Sequence, residues 1–116
     1  MDDTDICVCW MEAKKLVPGD TMALTGALDL RGNKTLDVVV DVEQADEGED
    51  AVLVLQHAAR NVSGGYVDFE TRVEIPLNVT GKTWVKIDRY TRFLGWSLEG
   101  TLATGATVTT DVVAKR

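Results

Sequence analysis

The side chains that could contact a ligand cluster in RYTRFLGWSLEG, at residues 89–100. Arginine and aromatic side chains together can face a sugar, a phosphate or a base. With one upstream tryptophan they define a candidate ligand-binding set: Trp84, Tyr90, Arg92 and Trp96. On a β-strand, however, alternation puts Trp96 on an apolar face between Leu94 and Leu98, which is typical of core residues. We therefore favour a structural interpretation, with Tyr90 and Arg92 at the rim of the core, and keep the ligand site as an alternative.

Groups that could carry out catalysis are sparse. The sequence has one histidine, His57, at the end of the apolar run LQHAA. A general base needs a partner and a cleft, and no local motif supplies an activated serine or cysteine or a glycine-rich phosphate loop. We expect His57 to be a strand-end histidine whose ring meets a backbone or side-chain partner. The chain is predicted to be non-enzymatic, with no catalytic residue and no cofactor.

Potential metal ligands are few and poorly spaced. Cys7 and Cys9 are the only cysteines and form a C-x-C pair, whereas a zinc site needs about four converging ligands. We interpret residues 6–11 as a short strand with both thiols on one face. Five acids crowd into EQADEGED at residues 43–50, a segment that lacks the ligand spacing of an EF-hand loop. We interpret it as a solvated loop and predict no metal site, with calcium binding there as the alternative.

Composition limits the classes of partner. The 116 residues fit one domain, and 12 basic against 19 acidic residues give a net charge of −7. This balance disfavours nucleic acid and anionic membrane surfaces, because both are bound through basic faces. No apolar run approaches the roughly 18 residues of a transmembrane helix, and the acidic start MDDTDICVCW does not resemble a secretory signal. We expect synthesis in a cytoplasm.

Period-two alternation is the main structural signal. In TLDVVVDVE, the residues on one face are Leu36, Val38, Val40 and Val42. AVLVLQHAA is typical of a strand covered on both faces. YVDFETRVEIPL is typical of a half-buried strand with a solvated face, and Pro76 ends it or lies on its edge. The residues expected on its inner face are Val67, Phe69, Thr71, Val73 and Ile75. About eight strands separated by turn signals predict an all-β fold, either an antiparallel β-sandwich or a jelly roll. Because the first residues are weakly patterned, we predict an extended N-terminal arm at 1–20 and a sandwich domain at 21–116, with a place for the first segment in the sandwich as the alternative.

Two segments resemble a known class of proteins. LVLQHAARN and, later, DRYTRFLGWSLEGTL are similar to strands of small structural proteins of tailed bacteriophages, which often carry L-x-L-Q-H-S/A and then R-Y-x-R-W/F. The likeness covers residues 34–116. It implies a non-enzymatic virion component, most specifically a capsid decoration (cement) protein on the outer surface of the phage shell. Such proteins are small, β-rich and often dimeric or trimeric, and they lie at junctions of the major capsid protein lattice.

The resemblance also gives the N-terminal arm a role. An arm of this kind can clamp a neighbouring subunit, for example by adding a strand to its sheet. The predicted partner-binding residues are the apolar side chains of the arm: Ile6, Val8, Trp10, Met11, Leu16 and Val17.

Two alternatives to a decoration protein stay open. Discoidin-like carbohydrate-binding sandwiches also carry an R-Y-V-R strand, and this resemblance would assign a glycan to the ligand-binding set named above. The other alternative is a neck, tail or fibre-associated virion component.

Overall fold

A computed structural model describes residues 6–17, 28–30, 35–62, 64–88 and 90–115, and the regular structure in them is β-strand throughout. The nine strands are β1 (Ile6–Leu16), β2 (Leu28–Asp29), β3 (Thr35–Gln44), β4 (Val52–Ala58), β5 (Val67–Asp68), β6 (Glu74–Pro76), β7 (Gly81–Ile87), β8 (Phe93–Glu99) and β9 (Ala106–Lys115). The prediction of an all-β chain is confirmed.

The strands form two antiparallel sheets. Sheet A has the order β1-β9-β3-β7, and sheet B has the order β2-β8-β4-β5, with β6 also pairing with β4. One buried cluster takes side chains from both sheets, including Val38 and Val112 from sheet A and Leu53 and Leu94 from sheet B. The chain is therefore an antiparallel β-sandwich, as the alternation predicted.

Strand β3 shows how the sequence pattern produces this fold. Leu36, Val38 and Val40 are fully buried, whereas the residues between them are only half-buried. Burying one aliphatic side chain of this size stabilises the fold by about 1.5–3 kcal/mol. A slip of one residue would turn the whole apolar set to the solvent face. The register of β3 between β7 and β9 is therefore strongly specified.

Strand β4 is covered on both faces, as its apolar run predicted. Leu53 belongs to the core between the sheets, and Val54 on the other face is also buried. Arg72 forms ion pairs with Glu74 of β6 and Glu99 of β8, the strands on either side of β4. Its side chain thus crosses β4 and covers the aliphatic outer face while its charge stays paired.

Residues 66–77 depart from the single strand that alternation predicted. They form the two short strands β5 and β6, and Val67 and Thr71 on the expected inner face are exposed. Phe69 is buried and its ring stacks on His57 with centroids 4.4 Å apart. Between the two short strands, this aromatic contact and a backbone hydrogen bond from Leu55 to Val73 at 3.1 Å join the segment to β4.

Strand β1 lies at the edge of sheet A and pairs with β9. Its register shifts twice, between Cys9 and Met11 and between Met11 and Lys14, and Ala13 has a φ of 44°. Leu16, at its end, is fully buried in the core. Residues 6–16 of the predicted arm therefore form a strand of the sandwich. Residues 1–5 and 18–20 lie outside the described residues, so the boundary at residue 20 stays a prediction.

Candidate functional site

The two segments that resemble phage proteins lie side by side in sheet B. Strands β4 and β8 pair from Val52 opposite Glu99 to Ala58 opposite Phe93. Beyond the last pair, the backbone N–H of Arg92 donates to the carbonyl of Ala58 at 3.2 Å. The two segments are therefore parts of one structural unit.

His57 links these segments through its ring. Its Nδ1 accepts the backbone N–H of Thr91, 34 positions along the chain, at 3.1 Å. Because Nδ1 must be unprotonated to accept this bond, the neutral ring with its proton on Nε2 fits the site, and burial lowers the pKa of His57 below its ordinary value. This is the structural role that the sequence suggested for the histidine.

Arg92 forms a bidentate ion pair. Its Nε and Nη2 donate to the two carboxylate oxygens of Asp29, each at 2.9 Å. These hydrogen bonds and the charge of Asp29 raise the pKa of the guanidinium above its ordinary value. The backbone N–H of Leu30 also donates to the carbonyl of Arg92 at 2.9 Å. Arg92 therefore ties β2 to the start of β8, a task suited to its planar fork of donors.

The structure does not bring the four predicted ligand-binding residues together. Trp96 of β8 is 5% exposed, and Tyr90 is half-buried against the core. Trp84 belongs to β7 of the other sheet and is 69% exposed. A surface shared by Trp84 and Trp96 is therefore absent from this fold, because one indole faces solvent and the other faces the core.

Trp10 and Trp96 join the two sheets. Their rings are stacked with centroids 5.7 Å apart and planes inclined by 25°. Trp10 comes from β1 of sheet A and Trp96 from β8 of sheet B. The Nε1 of Trp96 is buried without a hydrogen-bond partner among the described residues, a cost that the burial of both rings must offset. Trp10, predicted to bind a partner, thus packs within the sandwich.

The other predicted partner-binding residues divide between core and surface. Val8 is half-buried against the core, Leu16 is fully buried and Val17 is 41% exposed. Leu16 is not accessible to a partner in this fold. The side chains of Ile6 and Met11 lie outside the described residues. The register shifts of β1 break its alternation, so the sequence pattern could not separate inward from outward residues there.

One acid of the segment 43–50 is buried rather than solvated. Glu49 is 3% exposed, and its carboxylate accepts the backbone N–H groups of Ala103, Thr104 and Gly105 at 2.9–3.2 Å. Burial alone would raise the pKa of this carboxyl, but these hydrogen bonds and one from Ala51 lower it below its ordinary value. The solvated-loop interpretation was therefore wrong for Glu49.

An open cleft of about 530 Å³ lies beside this loop. Its polar lining includes Lys15, Glu43, Asp46, Thr80, Thr104 and Thr107. A lysine, acids and threonines together do not select one class of ligand. Within the described ranges, no three histidine, cysteine, aspartate or glutamate side chains converge to hold a metal ion.

Trp84 stands on the outer face of sheet A. Its Nε1 donates to Oδ1 of Asp37 on the neighbouring β3 at 2.9 Å. Lys82 and Lys86 flank it on the same face of β7, and both are exposed. Sequence reasoning grouped Trp84 with residues of the other sheet and missed the two lysines, although the alternation K-x-W-x-K was the signal that could have found them.

Comparisons with known proteins give a limited result. No family model matches the chain, and no curated protein matches it. Among solved structures, the chain is similar to the coat protein of Tobacco streak virus, with a TM-score of 0.41 and 9% sequence identity over 99% of this chain and 88% of that chain. No functional conclusion follows from a likeness at that level. No helix in the described part of the chain is long and apolar enough to cross a membrane.

Proposed function

We propose that this chain is a non-enzymatic structural protein of a virus particle, and specifically a decoration protein on the outer surface of a tailed-bacteriophage capsid. The observation that carries the proposal is the adjacency of β4 and β8. The two sequence segments that resemble phage structural proteins fold as neighbouring strands.

This adjacency matters because chance resemblances need not coincide in space. The segments are distant in sequence, yet His57 of one accepts a hydrogen bond from Thr91 of the other. Ala58 and Arg92 add a backbone hydrogen bond at the same end. A pair of strands with its own side-chain connection is the kind of unit that related sandwiches would share.

The polar groups that first suggested chemistry support a structural role. His57, Arg92 and Glu49 each hold two parts of the backbone together through hydrogen bonds. A side chain fixed in this way is poorly placed to exchange protons with a substrate or to bind a free anion.

The charge of the chain suits the outside of a shell. A protein with a net charge of −7 is repelled by packaged nucleic acid and gains solubility from its surface charge. The N-terminal region remains the proposed contact with the shell, because β1 is an edge strand and an edge strand can pair with another chain. Of the predicted contact residues, Val17 is exposed at the end of this strand.

A sedimentation experiment tests the proposal. Purified chain is mixed with shells assembled from the major capsid protein of the same genome, in immature and expanded forms, and the pelleted ratio is measured against input. We expect saturable binding at a fixed ratio to the capsid protein. Val17→Asp should lower the occupancy at least several-fold, because a charge at a packed contact must be desolvated.

Val62→Asp provides the matched control. Val62 is as exposed as Val17 but follows β4 in sheet B, so its substitution should leave the occupancy unchanged. Circular dichroism must show that both variants are folded. Absence of saturable binding to either form of shell contradicts the proposal, and co-sedimentation with purified tails instead would favour the neck, tail or fibre alternative.

A further inference from the structure

Strand β7 forms one edge of sheet A. Among the described residues it pairs with β3 alone, through all seven of its positions from Gly81 to Ile87. An edge strand of this length presents unpaired backbone N–H and C=O groups along one side. Such an edge is a template for another strand.

The outer face of β7 carries an exposed aromatic residue between two cations. Trp84 is held in one orientation by Asp37 but keeps most of its surface in solvent. Among the described residues, no ion pair involves Lys82 or Lys86. A fixed, exposed tryptophan is the type of residue that anchors protein interfaces.

The inner face of β7 is incompletely covered. Alternation directs Thr83, Val85 and Ile87 toward the sandwich interior. Ile87 is buried, but Val85 is only half-buried and Thr83 is exposed. Among the described residues, the sandwich is therefore open along this edge, and a further strand would cover Val85.

We propose that β7 pairs antiparallel with β7 of a second copy of this chain, about a two-fold axis through Val85. The two four-stranded sheets then join into one sheet of eight strands. Lys82 faces Asp88 of the second copy, Trp84 faces Lys86 of the second copy, and Val85 faces its own equivalent. Because the interface is isologous, the Lys82 and Trp84 pairs each occur twice.

Side-chain direction and charge favour this register over those centred on Trp84 and on Thr83. Pairing must keep outward residues opposite outward residues, so the axis must pass through a residue and not between two. An axis through Trp84 would put Lys82 opposite Lys86 of the second copy, and like charges directly opposite are destabilising. An axis through Thr83 would put Val85 opposite Gly81, whose φ of 146° departs from strand geometry and which offers no side chain to cover it.

The register through Val85 turns the same lysines into attractive partners. Lys86 meets an indole face, which attracts cations. Asp88 is exposed just beyond β7 and forms no ion pair with another described residue, so it is free to meet Lys82. Edge lysines usually prevent strand pairing, and here they restrict it to one arrangement.

Sedimentation-equilibrium ultracentrifugation of the full chain tests the inference by charge exchange. We expect a monomer–dimer equilibrium. Asp88→Lys places lysine opposite Lys82 of the second copy, and Lys82→Asp places aspartate opposite Asp88. Each variant alone should dimerise at least tenfold more weakly than the original chain. An equimolar mixture should form a heterodimer, because each lysine at position 82 or 88 then faces an aspartate.

Charge pairing within one chain cannot explain the formation of this heterodimer. Positions 82 and 88 are six residues apart, about 20 Å along a strand at about 3.3 Å per residue. Since Lys82 also lies opposite Asp41 of β3, thermal unfolding of Lys82→Asp is measured alongside. Trp84→Lys gives an independent test, because it puts one lysine opposite Lys86 of the second copy, twice in the symmetric dimer, without changing the core. Lys15→Asp on β1, the other edge of sheet A, is the matched control and should dimerise like the original chain.

Three results would overturn the inference. One is a sedimentation result in which the original chain stays monomeric at every concentration up to those used for NMR. Another is a dimer whose strength is unchanged by Asp88→Lys and Trp84→Lys. A trimer is the third, because two-fold edge pairing closes at two copies. The test contains no capsid, so its result is independent of the shell-binding experiment.

Discussion

Glu49 shows how differently one residue can look in a sequence and in a fold. In the sequence it is one of five acids in a short segment. In the fold its carboxylate lies beneath three backbone N–H groups of the loop at 103–105. Whether one acid among several is buried depends on a distant loop, in which Ala103 lies 54 positions along the chain from Glu49. Local spacing therefore could not identify it.

The lowered pKa of Glu49 predicts a pH-dependent contribution to stability. A carboxyl whose pKa is lower in the folded state stabilises the fold above the ordinary glutamate pKa, and this stabilisation is lost as the pH falls through the folded pKa. Glu49→Gln removes the charge, so we expect it to destabilise the protein by about 1.5–3 kcal/mol near pH 7. The difference from the original chain should shrink below about pH 4.

Urea unfolding between pH 7 and pH 3 measures this difference. Glu47→Gln, in the same segment but exposed, is the control and should change stability by less than about 0.5 kcal/mol. Parallel stability curves for Glu49→Gln and the original chain at every pH would show that the charge of Glu49 contributes nothing.

At the scale of strands, the sequence located the elements whose alternation is uninterrupted. The inward residues of β3 and β8 follow the predicted pattern, with Val40 and Trp96 buried. Strand β1 was not recognised as part of the sandwich, because its two register shifts break the alternation. The pattern also failed around Phe69, where the predicted single strand is divided into β5 and β6. Departures of this kind depend on the partner strand, which a local pattern does not contain.

Strand β8 depends on a glycine for a close aromatic contact. A Cβ at Gly95 would lie 2.8 Å from Cε2 of Tyr66, whose hydroxyl donates to Asn61 at 2.9 Å. We expect Gly95→Ala to destabilise the protein by about 1–3 kcal/mol, because the added methyl group displaces the ring. In a Tyr66→Ala background the same substitution should cost much less, since the two positions are coupled.

Chemical denaturation of the four chains of this cycle measures the coupling. Gly48→Ala is the control, because a Cβ there meets Oδ1 of Asp46 at an ordinary 3.4 Å. An equal cost of Gly95→Ala with and without the Tyr66 ring would contradict the contact.

At the scale of the whole molecule, the sandwich needs its first strand. Trp10 of β1 stacks on Trp96 of sheet B, and Leu16 of β1 is fully buried in the core. The fold also decides which of the candidate residues can share one site. The sequence correctly suggested a structural role for His57, but it could not show that Trp84 stands apart from Trp96, because that separation depends on which sheet each strand joins.

Removal of residues 1–17 should therefore abolish or strongly weaken cooperative thermal unfolding. Loss of the Leu16 side chain alone is expected to cost about 2–5 kcal/mol, which is a large part of the stability of a typical domain. Removal of residues 1–5 takes away none of the described strands and should leave a cooperative transition. If the chain without residues 1–17 unfolds cooperatively close to the original midpoint, then β1 behaves as a separable arm.

The pairing of β1 with β9 also determines how the protein would respond to mechanical force. Ile6 lies opposite Ala114, so the first and last described strands begin and finish at the same end of sheet A. Tension between these two ends would peel β1 from β9 one pair at a time, starting at Ile6, and would not shear all pairs together. The same tension would reach Trp10 only after the first pairs had opened. The sandwich is thus arranged to yield gradually when it is pulled between Ile6 and Ala114.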